Sequence, residues 1–121
     1  MQRSRAFTHR PTLLCSLLIV FASTAQAAKS SASTLATGKA VYEHWCAPCH
    51  APGPGHPGTQ SLQLKYNGKP SAVLLERTDL TPQVVATFVR QGVLLMAPFR
   101  KTEINDAELA ALAAYVTQKK R

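Results

Sequence analysis

Cys46-Ala47-Pro48-Cys49-His50 is the stretch that decides how this chain folds. Two thiols three positions apart can add to the two vinyl groups of one porphyrin. The histidine directly after the second thiol then lies against the iron. The spacing predicts one covalently attached haem c, with Cys46 and Cys49 as attachment points and His50 as the proximal iron ligand. Two other readings of a C-x-x-C pair fit less well. A thioredoxin-like redox pair belongs in a βαβ context, and no segment here reads as a strand. A tetrahedral zinc site needs two further ligands, and the only other cysteine is Cys15.

Upstream of the motif, residues 1–27 have the pattern of a secretory signal peptide. Arg3, Arg5 and Arg10 form a positive head, Leu13 to Ala22 is an uncharged apolar run, and Ala25-Gln26-Ala27 fits a cleavage site. The run covers about ten residues, short of the ~20 that a membrane-spanning helix takes. Residues 28–34 read as a flexible N-terminal lead, and 35–121 as one small domain. Export predicts a periplasmic protein with no stable membrane insertion after cleavage. The cut would remove three arginines and leave 11 basic residues against 6 acidic ones. That excess suits an acidic protein surface. It does not suit nucleic acid, because only Lys119-Lys120-Arg121 forms a basic run. A domain this small is marginal alone. A covalently held porphyrin would give its helices a large apolar plate to pack on.

Around the motif the pattern is helical. Gly38, Val41, Tyr42 and Trp45 fall at three- and four-residue spacing, predicting a helix from about Leu35 to Trp45. Gly38 costs ~1 kcal/mol relative to alanine there, which suggests a close-packing role. Ala51 to Gly58 is too rich in proline and glycine for helix or strand and reads as a tight loop. A short helix is expected over 70–77. Thr81 as N-cap, Pro82 at the first position and Gly92 as the stop frame the next helix. Asn105 with Glu108 forms a capping box for the last one, whose buried stripe is Leu109, Leu112, Ala113 and Val116. The expected class is all-α, three main helices and one or two short ones around a single haem.

Met96 is the expected sixth iron ligand. It is the one methionine outside the leader, and a rigid turn at Pro98 could hold its thioether toward iron. Thioether sulfur favours the reduced state. His44 is too near Cys46 to reach across the ring, and His56 lies on the proximal loop. The second ring nitrogen of His50 needs an acceptor, for which the carbonyl of Pro57 or Pro54 is the candidate, Pro57 being preferred. Arg77 is the candidate partner of a haem propionate. Lys65, Lys69, Arg100 and Lys101 are candidates for a basic docking rim around a small apolar patch.

These residues resemble the small single-haem class I cytochromes c over about Gly38 to Val116. In that family an N-terminal helix with a small residue and an aromatic crosses the C-terminal helix. Gly38 and Tyr42 match the first, and Leu112 with Tyr115 match the second. Ala97 departs from the proline that often follows the ligand methionine. The chain is also similar to cytochrome subunits of p-cresol methylhydroxylase-type flavocytochromes. The grounds are its size, its Met-x-Pro-Phe region and its leader. The resemblance implies an electron carrier rather than an enzyme. Its donor would be a periplasmic flavin dehydrogenase, and its acceptor another cytochrome, a copper protein or an oxidase. The competing reading is a haem enzyme or gas sensor with an open or displaceable sixth position.

Overall fold

The structure, a computed structural model, describes residues 20–118. Most of the expected leader and the whole basic run 119–121 lie outside its side-chain description. The described residues are all-α, as expected, with a single isolated bridge between Val93 and Met96.

Helix α1 spans Val20–Val41 and so begins well before Leu35. Residues 28–34, read from sequence as a flexible lead, are helical here. Nothing between Pro11 and Gly38 is proline or glycine, and alanine, the best helix former, recurs through the stretch. The helix also does not end at Val41. It widens into a π-turn over Tyr42–Cys46, where Ala47 N–H donates to the Tyr42 carbonyl, and resumes as α2 (Ala47–His50).

The proline-rich segment is irregular only through residue 56. Helix α3 (Pro57–Tyr66) starts inside it, with Pro57 in its first turn and left-handed Asn67 (φ 48°) ending it. The expected short helix over 70–77 is reduced to one 3-10 turn, Leu74–Glu76.

The last two helices follow their sequence signals. The Thr81 hydroxyl accepts from Val84 N–H at the start of α4 (Pro82–Gln91), and Gly92 closes it at φ 68°. Asn105 and Glu108 make the reciprocal capping box of α5 (Asp106–Thr117). Ile104, just before that cap, and Leu109, four residues into the helix, both sit in the core cluster, so a hydrophobic staple fixes the entry of the chain.

Helices α1 and α5 pack together at Gly38. A Cβ built there would lie 2.1 Å from the Ala111 carbonyl oxygen and 2.7 Å from Tyr115 Cβ. Close packing is therefore the reason for this glycine. The core runs from Val41, Tyr42 and Cys46 across to Val89, Ile104, Leu109, Leu112 and Val116. Ile104 and Leu112 are 0% and 1% exposed, and burying such a side chain contributes about 1.5–3 kcal/mol.

Candidate functional site

Cys46, Cys49 and His50 occupy positions i, i+3 and i+4 of one helical stretch, so they share a face. The π-turn that ends at Cys46 sets the direction of that face relative to α1. Such single wide turns recur at functional sites. Both cysteines are free. Cys46 is in the core, and burial, with a smaller contribution from Cys49, pushes its thiol up to about 11. Cys49 is exposed. A buried sulfur that does not ionise at neutral pH suits a neutral thioether.

His50 is half-buried, and its Nδ1 is enclosed with no hydrogen-bond partner. Burial lowers its pKa, so the ring is held neutral. The hydrogen bond from Nδ1 to the Pro57 carbonyl, expected from sequence, is not formed. Pro57 is instead the first residue of α3, and the ring edge lies against Gly58. A Cβ on Gly58 would come within 2.6 Å of His50 Cε1 and 2.8 Å of both His50 Nδ1 and the Cys49 carbonyl oxygen.

Three side chains that the sequence did not single out for this role fix the backbone around His50. The Tyr42 hydroxyl donates to the His50 carbonyl at 3.2 Å. The hydroxyl of buried Thr59 donates to the Ala51 carbonyl at 2.9 Å. His56 Nδ1–H donates to the Pro48 carbonyl at 3.1 Å. Burial pushes the Tyr42 phenol up to about 12, so it remains a donor. The π-turn after α1 and helix α3 thus grip the same short peptide from two sides. Each donor is eight residues from its acceptor, a separation with no local periodicity to reveal it.

Met96 and Phe99 both pack on the core cluster. Its N–H donates to the Val93 carbonyl and its carbonyl accepts from Val93 N–H, both at 2.9 Å. Leu94 and Leu95 form the tip of this turn and are 93% and 98% exposed. Leu94 is left-handed at φ 53°, a strained conformation for a bulky residue. The turn lies directly on Gly92, where a Cβ would meet the Met96 carbonyl oxygen at 2.5 Å and Pro98 N at 2.9 Å. Phe99 closes edge-on against Trp45, with ring centroids 5.7 Å apart, next to Cys46.

Arg77 is engaged within the protein. Its Nε donates to Asp79 Oδ1 at 2.9 Å, a second arm pairs with Oδ2, and its guanidinium lies 4.9 Å over the Tyr66 ring. Its side chain is only 9% exposed. Two open grooves lie nearby, of about 730 and 510 Å³. The first runs between the 53–54 turn, α3 and residues 71–76, and the second between residues 75–80 and the end of α5. Neither is lined by Cys46, His50 or Met96. Of the candidate rim, Arg100 pairs with Glu103 and Lys101 with Asp106. Among the described residues no three His, Cys, Asp or Glu converge as a metal cage.

The family described as cytochrome C oxidase, cbb3-type, subunit III matches residues 33–116, most of the chain. No curated protein and no solved structure matches. The chain belongs to this family of c-type cytochrome domains, whose cofactor is covalently bound haem c with iron. The residues present fit that group. A core histidine normally has its polar atoms satisfied. Two free thiols and an uncharged imidazole on one helical face fit a haem held by two thioethers with a histidine ligand, and the Nδ1 of that ring has no protein acceptor.

Proposed function

We propose that this member of the cytochrome c family carries single electrons through one haem held by Cys46 and Cys49, with His50 and Met96 as its axial ligands. The observation that carries the reading is the shared helical face of Cys46, Cys49 and His50, with the histidine ring enclosed and held neutral. When bound, the haem iron supplies a one-electron couple. The chain's own residues orient the imidazole against Gly58, hold the His50 and Ala51 carbonyls, and keep Met96 on a turn packed against the core. Two axial ligands leave no position for substrate, which supports a carrier over an enzyme. Arg77 is proposed as a propionate partner that shares its guanidinium with Asp79.

The proposed setting is the periplasm, after removal of residues 1–27. The support is the leader pattern. The proposed donor is a flavin dehydrogenase, and the acceptor another cytochrome, a copper protein or an oxidase. The donor rests on the sequence likeness to flavocytochrome subunits. The excess of basic residues supports docking on an acidic partner.

The test is optical and electrochemical. The reduced protein is expected to show sharp low-spin c-type bands and a reversible one-electron couple, and to bind carbon monoxide slowly at neutral pH. Rapid carbon monoxide binding would replace the carrier with the enzyme or sensor reading. Electron transfer from candidate dehydrogenases, followed as a function of salt, tests the donor: an electrostatic encounter slows as salt rises.

A further inference from the structure

The turn that bears Met96 is held to the rest of the protein at its C-terminal end by two consecutive residues of α4. Phe99 N–H donates to the Val89 carbonyl at 2.8 Å. That carbonyl lies in the last turn of α4, where helix carbonyls lack an intrahelical donor. The Phe99 carbonyl accepts from Arg90 Nη1 at 3.2 Å. Both backbone groups of Phe99 are therefore taken by α4. Arg90 reaches further: its Nη2 donates to Asp106 Oδ1 at 3.0 Å, in the first turn of α5. Lys101 donates to the other oxygen of the same carboxylate at 2.7 Å. The Arg90 side chain is 23% exposed and Asp106 is 65% exposed, so the bond to the Phe99 carbonyl is partly shielded while the Asp106 arm is screened by solvent. One guanidinium ties the end of α4, the loop after Met96 and the start of α5 together.

The Val93–Met96 hydrogen bonds are internal to the turn, and its tip, Leu94 and Leu95, is in solvent. Its remaining attachments are the packing of Met96 and Phe99 on the core cluster, the contact with Gly92 and the Phe99–Trp45 ring contact.

We propose that Arg90 is a latch, a positioning residue that keeps Met96 on the iron by bridging the Phe99 carbonyl and Asp106. The proposal rests on Met96 being the sixth ligand. A lysine at position 90 could not supply both arms, because one ammonium lacks the planar fork. Losing one bond of this kind corresponds to about tenfold in the opening equilibrium of the turn.

The experiment uses the full chain matured with haem. The rate at which the oxidised protein binds added imidazole reports how often Met96 leaves the iron. The far-red thioether-to-iron band reports ligation at equilibrium. Arg90→Gln is expected to bind imidazole about tenfold faster than wild type, with Arg90→Lys in between. Val116→Ala, a core change on α5 away from the latch, is expected to lower the melting temperature while leaving the imidazole rate near wild type. Asp106→Asn weakens only the α5 arm and serves if Arg90→Gln folds poorly; a smaller acceleration is expected. Imidazole binding by Arg90→Gln and Asp106→Asn at the wild-type rate would overturn the latch. So would an equal acceleration in Val116→Ala. A wild-type protein that already binds imidazole as fast as Met96→Ala would overturn the ligand assignment itself, and the latch with it. A closed wild type, an open Met96→Ala and a closed Arg90→Gln would overturn the latch alone.

Discussion

The two sides of the candidate haem site are built by different means. On the proposed proximal side, Cys46, Cys49 and His50 ride on a continuation of α1, and the peptide around His50 is gripped by hydroxyls from the π-turn and α3. On the distal side, Met96 sits on an irregular turn whose tip is exposed and whose ends are tied to α4. His50, the proposed proximal ligand, is thus placed by helical backbone, and Met96, the proposed distal one, by a handful of tertiary contacts. Local openings concentrate where few buried contacts hold the chain. The contrast teaches that this protein should lose its distal ligand well before it loses the proximal one.

Removing the covalent anchors should break the comparison altogether. The double variant Cys46→Ala, Cys49→Ala is expected to lose covalent haem and stable folding, because a domain of this size has little core to spare. A haem stain after denaturing electrophoresis and far-ultraviolet circular dichroism would check both. Retention of covalent haem would refute the attachment sites.

Met96→Ala should separate the two sides. Haem stays attached, the sixth site opens to added ligands, and the reduction potential falls because thioether ligation is lost. Voltammetry and imidazole titration measure this. An unchanged potential in a protein still closed to ligands would remove Met96 from the site.

Two glycines sharpen the contrast. Gly58→Ala puts a Cβ within 2.6 Å of His50 Cε1, and overpacking of this kind costs about 1–3 kcal/mol. Gly92→Ala adds left-handed strain at φ 68° to a contact of 2.5 Å with the Met96 carbonyl oxygen. Gly58→Ala is expected to alter the proximal histidine signals in the magnetic resonance spectrum with Met96 still bound. Gly92→Ala is expected to speed imidazole binding at smaller cost to the proximal signals. The reverse pattern would mean that the two sides are not independent.

The smallest expected effect has the opposite sign. Leu94 is left-handed and almost fully exposed, so Leu94→Gly removes strain of about 1–2 kcal/mol per residue with little packing lost. Part of that gain is offset by the greater freedom of glycine when unfolded. A net rise of a few degrees in melting temperature is expected by calorimetry. A fall would show that the leucine side chain is held by something the free chain does not present.

Much of this architecture is legible in the residues. The caps of α4 and α5 lie within four residues of the positions they satisfy, so Thr81, Pro82, Gly92, Asn105 and Glu108 could be read directly. Gly38 was legible as a packing glycine because a costly residue in a helix needs a reason. Helix α3 was hidden by the proline and glycine at its own start, since first-turn proline looks like loop from outside. The early start of α1 was hidden because serine and threonine are ambiguous between lead and helix.

The sequence by itself determined the all-α class, the shared face of Cys46, Cys49 and His50, and the candidacy of Met96. Each of these follows from residue type and spacing along one chain segment, or from elimination within a short composition. Tertiary structure decided everything that depends on residues meeting across the chain. It put Gly58 rather than Pro57 against the His50 ring, brought Tyr42 and Thr59 onto the peptide beside it, stacked Arg77 over Tyr66, and set Arg90 between Phe99 and Asp106. Such contacts join separate elements, and their geometry is fixed by how those elements pack. No periodicity along the chain carries that information.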